Sequence, residues 1–161
     1  MIPHRVRQLL TAGARPGPGE INLARQWLDG ALLDLFLAQH PRDIVHSVNT
    51  ARWLIARGHR DHDLIRAALL HDIGKGEQRR GDRALWVILS SVGAGQRAAS
   101  AESRFAVRNA LARTRDHSQS GAAILGKEGA SARVVHLTLA HHSRAGDDPV
   151  LALLQAADAA N

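Results

Sequence analysis

Residues Ala67–Lys75 read AALLHDIGK, four apolar residues that run into a histidine and an aspartate and then a glycine-flanked lysine. Asp61, upstream, is placed as a helix N-cap. From it two stripes recur at three- and four-residue steps, Leu64, Ala68 and His71 on one and Ile65, Leu69 and Asp72 on the other. Gly74 and Gly76 close the helix. Both stripes therefore end on a polar side chain at the most apolar part of their own helix. A carboxylate buried there is costly unless a cation or a donor meets it.

Outward from this helix the pattern stays helical. Upstream, Pro41 fits a first helical position and opens a helix through Ile44, Val48, Ala51 and Ile55 that stops near Gly58. Before it, Leu23, Trp27, Leu28, Ala31, Leu32, Leu35 and Phe36 repeat at helical spacing from Ile21 onward. Residues 1–20 read as a basic arm and a Gly/Pro connector, AGARPGPGE at 12–20. Downstream, helices are expected over 85–92 and 105–111, about 117–127, and about 132–143. Asp148 caps and Pro149 starts a last helix to Asp158. No strand alternation with hairpin turns occurs. The expected architecture is one all-α domain of seven to eight helices over 21–161, with an arginine-rich helical insertion at about 78–113.

The chain has 161 residues, 45% apolar and 22% charged, without cysteine. That length suits one domain with a real core. The lack of cysteine removes disulfides, thiolate-bound zinc and a thiol nucleophile. No run is long enough to span a bilayer, and residues 1–20 lack the apolar stretch of a signal peptide, so a soluble cytoplasmic protein is expected. The net charge of +6 sits in one place. Arg79, Arg80, Arg83, Arg97, Arg104, Arg108, Arg113 and Arg115 face only Asp82 and Glu102. Such a segment attracts phosphate, nucleic acid or an acidic membrane surface, or else is a solvated helix face.

His46, His71, Asp72, His117, His141, His142 and Asp158 form the chemical constellation. Each alone has a structural reading: a hydrogen-bonded core histidine, a helix-dipole partner, a surface acid. Together, each interrupts or ends the apolar stretch of its own helix. Imidazole nitrogen with carboxylate oxygen makes a site for zinc, manganese, iron or nickel, and helical bundles build such sites from facing helices. His59, His62 and His136 fall outside this set, as do His4 and His40.

The ordered series His46 … His71-Asp72 … Asp158 resembles the signature of the HD superfamily of metal-dependent phosphohydrolases, and AALLHDIGK is similar to the form of its HDIG subgroup. HSVNTARWL (His46–Leu54) resembles the first-histidine helix. DHSQSGAAIL (Asp116–Leu125) and LAHHS (Leu139–Ser143) are similar to stretches of members that bind two metals, and LLQAADAAN (Leu153–Asn161) to the final aspartate helix. The resemblance covers about 40–161, apart from 78–113, and looks closest to small stand-alone bacterial members. It implies that His46, His71, Asp72 and Asp158 hold a first ion. Asp72 bridges to a second ion held by His117, His141 and His142. Gly121, four residues after His117, leaves room for close approach on the same helix face. Catalysis is assigned to Asp72 and Lys75, and substrate phosphate to Lys75, Arg79 and Arg144; a charge compensating the helix end is the other reading of Lys75.

The sequence departs from the cyclic-di-GMP-cleaving branch, since Ser143-Arg144-Ala145-Gly146 follows the paired histidines. Arg42 stands where trinuclear members carry a glutamate. Gly74-Lys75-Gly76 replaces the acidic pair of alarmone hydrolases. The expected activity is hydrolysis of a phosphomonoester or phosphodiester, of a nucleotide, with one or two divalent ions. The alternatives are a cyclic-dinucleotide phosphodiesterase or dinucleoside polyphosphate hydrolase, and a non-catalytic metal-stabilised module binding nucleic acid or an acidic membrane surface. Scarce aromatics weaken the last. The apolar face of 85–92 suits a homodimer contact or a lid.

Overall fold

The computed structural model describes residues 15–75 and 106–161, with the backbone alone over 106–115. The basic arm, the helix expected at 85–92 with its lid and dimer face, and Arg79 lie outside the described residues. The described part is all-α, with seven helices: α1 (Pro18–Arg25), α2 (Gly30–Leu37), α3 (Pro41–Ala56), α4 (His62–Leu70), α5 (Ala106–Lys127), α6 (Ala132–Ala140) and α7 (Pro149–Ala159). A 3₁₀ turn, Ile73–Lys75, follows α4. No helix among the described residues is long and apolar enough to cross a membrane.

α4 is the centre. Leu64, Ile65, Ala67, Ala68, Leu69 and Leu70 are all buried, whereas His62, Asp63 and Arg66 reach toward solvent, so the helix is amphipathic at its start and enclosed over its last turn. α3 packs on one side, α6 on another, and α7 closes across both α3 and α4. α5 lies along α6 and the 3₁₀ turn. Each fully buried leucine of α4 contributes about 2 kcal/mol from burial alone, which fixes the end of the helix, and so His71 and Asp72, inside the core.

The caps follow the sequence. Asp61 Oδ1 accepts from Leu64 N at 2.8 Å, and Ser131 Oγ accepts from Val134 N at 3.1 Å while donating to Asp63 Oδ1 at 2.8 Å. His40, outside the chemical set, caps α3 through Nδ1, which accepts from Arg42 N at 3.3 Å. Asp148 accepts from Val150 N and Leu151 N and takes both guanidinium nitrogens of Arg133, at 2.8 and 2.7 Å.

Hydrogen bonding from Arg133, then from Leu151 N, holds the Asp148 carboxyl at about 2, against an ordinary 3.8. A folded-state value below the unfolded one stabilises the fold above about pH 4, and this contribution fades as pH falls through 2. Asp148→Ala is therefore expected to lower Tm by about 3 °C at pH 7. The gap from wild type should close in melts taken toward pH 2; a gap that stays constant with pH would contradict the carboxylate's role.

Four boundaries differ from the sequence expectation. The segment from Ile21 to Phe36 is two helices, broken where Asp29 takes an extended backbone ahead of the second helix and Gly30 takes φ +47°, a backbone angle that glycine tolerates. The first of them opens at Pro18, inside the stretch read as connector, where Gly17 N is held by Glu20 Oε2 at 2.9 Å. The helices expected at 105–111 and 117–127 are one 22-residue helix, α5. Arg113–Asp116 lacks an apolar stripe but also lacks glycine and proline, so nothing stops the helix there. α6 ends at Ala140, leaving 141–143 as a turn.

Candidate metal centre

The end of α4 brings the site together. His71 is its C-cap residue and Asp72 the next, 1% and 2% exposed. α3 supplies His46, α7 Asp158, α5 His117, and the turn after α6 supplies His141 and His142. All seven side chains meet around Asp72, although His46 and Asp158 lie 112 positions apart in the chain.

The seven fall into two groups that share one carboxylate. Asp72 Oδ2 faces His71 Nε2 at 3.6 Å and His46 Nε2 at 3.9 Å. Asp158 Oδ1 completes that side, 2.8 Å from His46 Nε2 and 3.5 Å from His71 Nε2. Asp72 Oδ1 faces the other way, 3.5 Å from His117 Nε2 and 4.0 Å from His141 Nε2. There His117 Nε2 lies 3.2 Å from His141 Nε2 and 3.0 Å from His142 Nε2. Two ligand sets of three, His46-His71-Asp72 and His117-His141-His142, are close enough to hold an ion each.

Local hydrogen bonds decide which nitrogens face inward. His71 Nδ1 meets Ala68 O at 3.0 Å and His141 Nδ1 meets Thr138 O at 2.6 Å. A carbonyl only accepts, so each Nδ1 carries the proton and, in the neutral ring, Nε2 keeps its lone pair for the centre. His71 Nε2 and Asp72 Oδ1 are buried with no hydrogen-bond partner. Orphaned acceptors of this kind are expensive in a core and fit a cation. The spacing fits too. Nitrogen donors about 2.0–2.1 Å from an ion stand about 2.9 Å apart in octahedral and about 3.3 Å apart in tetrahedral geometry, which brackets the imidazole contacts.

The electrostatics divide the same way. Burial alone raises the Asp72 carboxyl, but Lys75, His71, His46 and His117 outweigh it and hold it well below the usual carboxylate range. Asp158 behaves alike, burial being overcome by its hydrogen bond to His46 and by the nearby His71. Burial pushes His71 down, yet the Asp72 and Asp158 charges leave it raised. In the imidazole group burial wins: with the charges of His71 and His142 it takes His141 down to about 3, and burial also lowers His142. One half is thus anionic and draws positive charge, and in the other His141 and His142 offer neutral nitrogen at pH 7.

Lys75 Nζ is paired with Asp72 Oδ2, so the ammonium sits against the carboxylate rather than at the helix-end carbonyls. Arg144 is exposed beyond α6. His62 lies against Trp27, ring centroids 4.9 Å apart, and His136 is 3.7 Å from Asp148, both away from the centre. A cavity of about 270 Å³ opens against Asp72, walled by Leu35, Ala38, Ile73 and Ile124 with Gln39 and Asp43 on its polar side.

Two features had no counterpart in the sequence reading. Gly121 was expected to allow close approach, and the partner it meets is Gly74. A Cβ on Gly74 would lie 1.9 Å from His117 O and 2.5 Å from Gly121 N. The missing side chain lets α5 press its backbone onto the 3₁₀ turn and carries His117 to Asp72. The second is Gln155 of α7, whose Nε2 donates to His141 O at 3.1 Å and Ser143 O at 2.6 Å. A single glutamine in an alanine- and leucine-rich helix gives no spacing signal.

Residues 43–160 match the family model described as HD domain. No curated protein and no solved structure matches the chain.

Proposed function

This chain belongs to the HD domain family, and on that footing we propose that it is a metal-dependent phosphohydrolase, cleaving a phosphomonoester or phosphodiester of a nucleotide. The observation that carries the reading is the shared carboxylate. Asp72 turns one oxygen to His46 and His71 and the other to His117 and His141. In this reading His46, His71, Asp72 and Asp158 hold one divalent ion, and Asp72, His117, His141 and His142 hold a second, drawn from manganese, iron, zinc or nickel.

When bound, such ions supply Lewis acidity to the phosphoryl oxygens and lower the pKa of a water toward neutrality. The chain does the rest by placement. Ala68 O and Thr138 O fix the rings of His71 and His141, so their Nε2 atoms converge without rearrangement. Lys75, with its side chain 19% exposed, brings an ammonium to the same carboxylate oxygen from the open side, within reach of a phosphate oxygen. The side chains of His46 and Asp158 are part-exposed, whereas those of His71 and His141 are buried. The apolar walls of the cavity beside Asp72 suit the organic group of the ester.

The test joins elemental analysis of freshly purified protein to a substrate screen with each metal. The panel runs from nucleoside monophosphates and simple diesters to cyclic dinucleotides and dinucleoside polyphosphates. Turnover of at least one ester, abolished by a chelator and restored by a divalent ion, is the expected result. A fully loaded protein that turns over none of them, while binding nucleic acid with an affinity that falls steeply with salt, would replace this reading with a binding module.

A further inference from the structure

Two imidazoles of the centre, His71 and His141, are held through Nδ1 by carbonyls of their own helices. His142 has no such anchor among the described residues. Its ring meets His117 Nε2 at 3.0 Å and lies against the His141 ring, centroids 3.9 Å apart, on an exposed turn. The backbone around it is held instead. The turn leaves α6 where carbonyls lose their helical partners, and Gln155 Nε2 spends both of its hydrogens there, on His141 O and Ser143 O, one on either side of His142. Gln155 stands three residues before Asp158, on the same face of α7. One helix therefore carries a carboxylate of the anionic half and the clamp on the imidazole half.

We propose that Gln155 is a positioning residue for His142, fixing the turn 141–143 so that the imidazole-rich half of the centre keeps its third ligand. The proposal rests on the reading that each half holds an ion. Gln155 touches neither substrate nor ion; it acts through two peptide carbonyls. A glutamine suits the task because its amide offers two donors on one nitrogen, and its own charge is zero beside a cationic centre. A glutamate of the same shape would set carboxylate oxygens against those carbonyls and drive the turn away.

The test is titration of the metal-free full chain with cobalt(II), followed by visible absorption and by calorimetry, for wild type, Gln155→Met and Gln155→Glu. Methionine keeps the volume and removes the donors. Wild type is expected to take up two ions in two steps. Gln155→Met should leave one step unchanged and weaken the other by about 10–100-fold, the usual cost of losing a group that orients a ligand. Gln155→Glu should weaken that same step at least as much. The metal-free Tm of Gln155→Met should stay within about 2 °C of wild type, because a solvent-side hydrogen bond contributes little to global stability. Two unchanged steps in Gln155→Met would overturn the role of Gln155, as would equal weakening of both steps with a fallen Tm, which marks a merely structural part. Wild-type uptake of fewer than two ions would overturn the two-halves reading beneath it, and it shows before any variant is made.

Discussion

Asp72→Ala is expected to empty both halves of the centre at once and to lower turnover by about 10³-fold or more. Among the described residues no other single side chain offers a ligand atom to both sets. Losing it removes an oxygen from each and the charge that draws positive groups to the core, whereas losing His46 or His142 thins only one. The variant should still fold. Removing a carboxylate that is 2% exposed relieves a desolvation cost, and the Lys75 side chain, 19% exposed, can turn its freed ammonium to water. Circular dichroism with metal analysis separates the cases: a folded chain, free of metal and inactive, is the expected result. A folded Asp72→Ala chain that keeps two ions and full turnover would end the assignment. Asp72→Asn, which keeps the shape and one acceptor, should fall between the two.

Gly74→Ala has the second largest expected effect, through packing rather than charge. The added methyl would meet three backbone atoms, His117 O at 1.9 Å, Gly121 N at 2.5 Å and His117 C at 2.9 Å, and backbone cannot swing aside as a side-chain tip can. Ordinary contact begins near 3.4 Å, so α5 must retreat from the 3₁₀ turn by about 1.5 Å. That movement draws His117 away from Asp72 Oδ1, now 3.5 Å distant. A loss of about 3 kcal/mol, or roughly 6–12 °C in Tm, is expected together with the ion of the imidazole half. Gly121→Ala is the internal control. Its methyl would meet Gly74 N at 3.2 Å and the Thr138 Cγ2 methyl at 3.4 Å, so a few tenths of an ångström suffice. Equal melting temperatures for the two variants would refute the close-approach account.

What the sequence disclosed followed periodicity and capping. α3 and α4 were legible because Pro41 and Asp61 open them and their apolar residues keep helical step; α7 was legible from Asp148 and Pro149. The convergence of His46, His71, Asp72, His117, His141, His142 and Asp158 could be anticipated because burying so many polar groups at apolar helix positions demands a common cause. The break at Asp29-Gly30 escaped because the apolar residues on either side keep helical spacing across it. The continuity of α5 through Arg113–Asp116 escaped for the opposite reason, a polar stretch that propagates a helix without a stripe. The meeting of Gly74 with Gly121 and the two carbonyl bonds of Gln155 are contacts between segments distant in sequence, and no local pattern encodes them.

His46 and Asp158 touch at 2.8 Å across 112 positions of chain. Bringing two such points together costs an unfolded chain entropy that grows with the logarithm of the span. In the two-ion reading, a cation gripping both works as a removable staple, binding the folded ensemble and not the open one. Starvation for the ion would then cost the cell more than reaction rate. The last helix would be freer to peel from the rest, and the chain's lifetime, not only its turnover, would track the supply of metal.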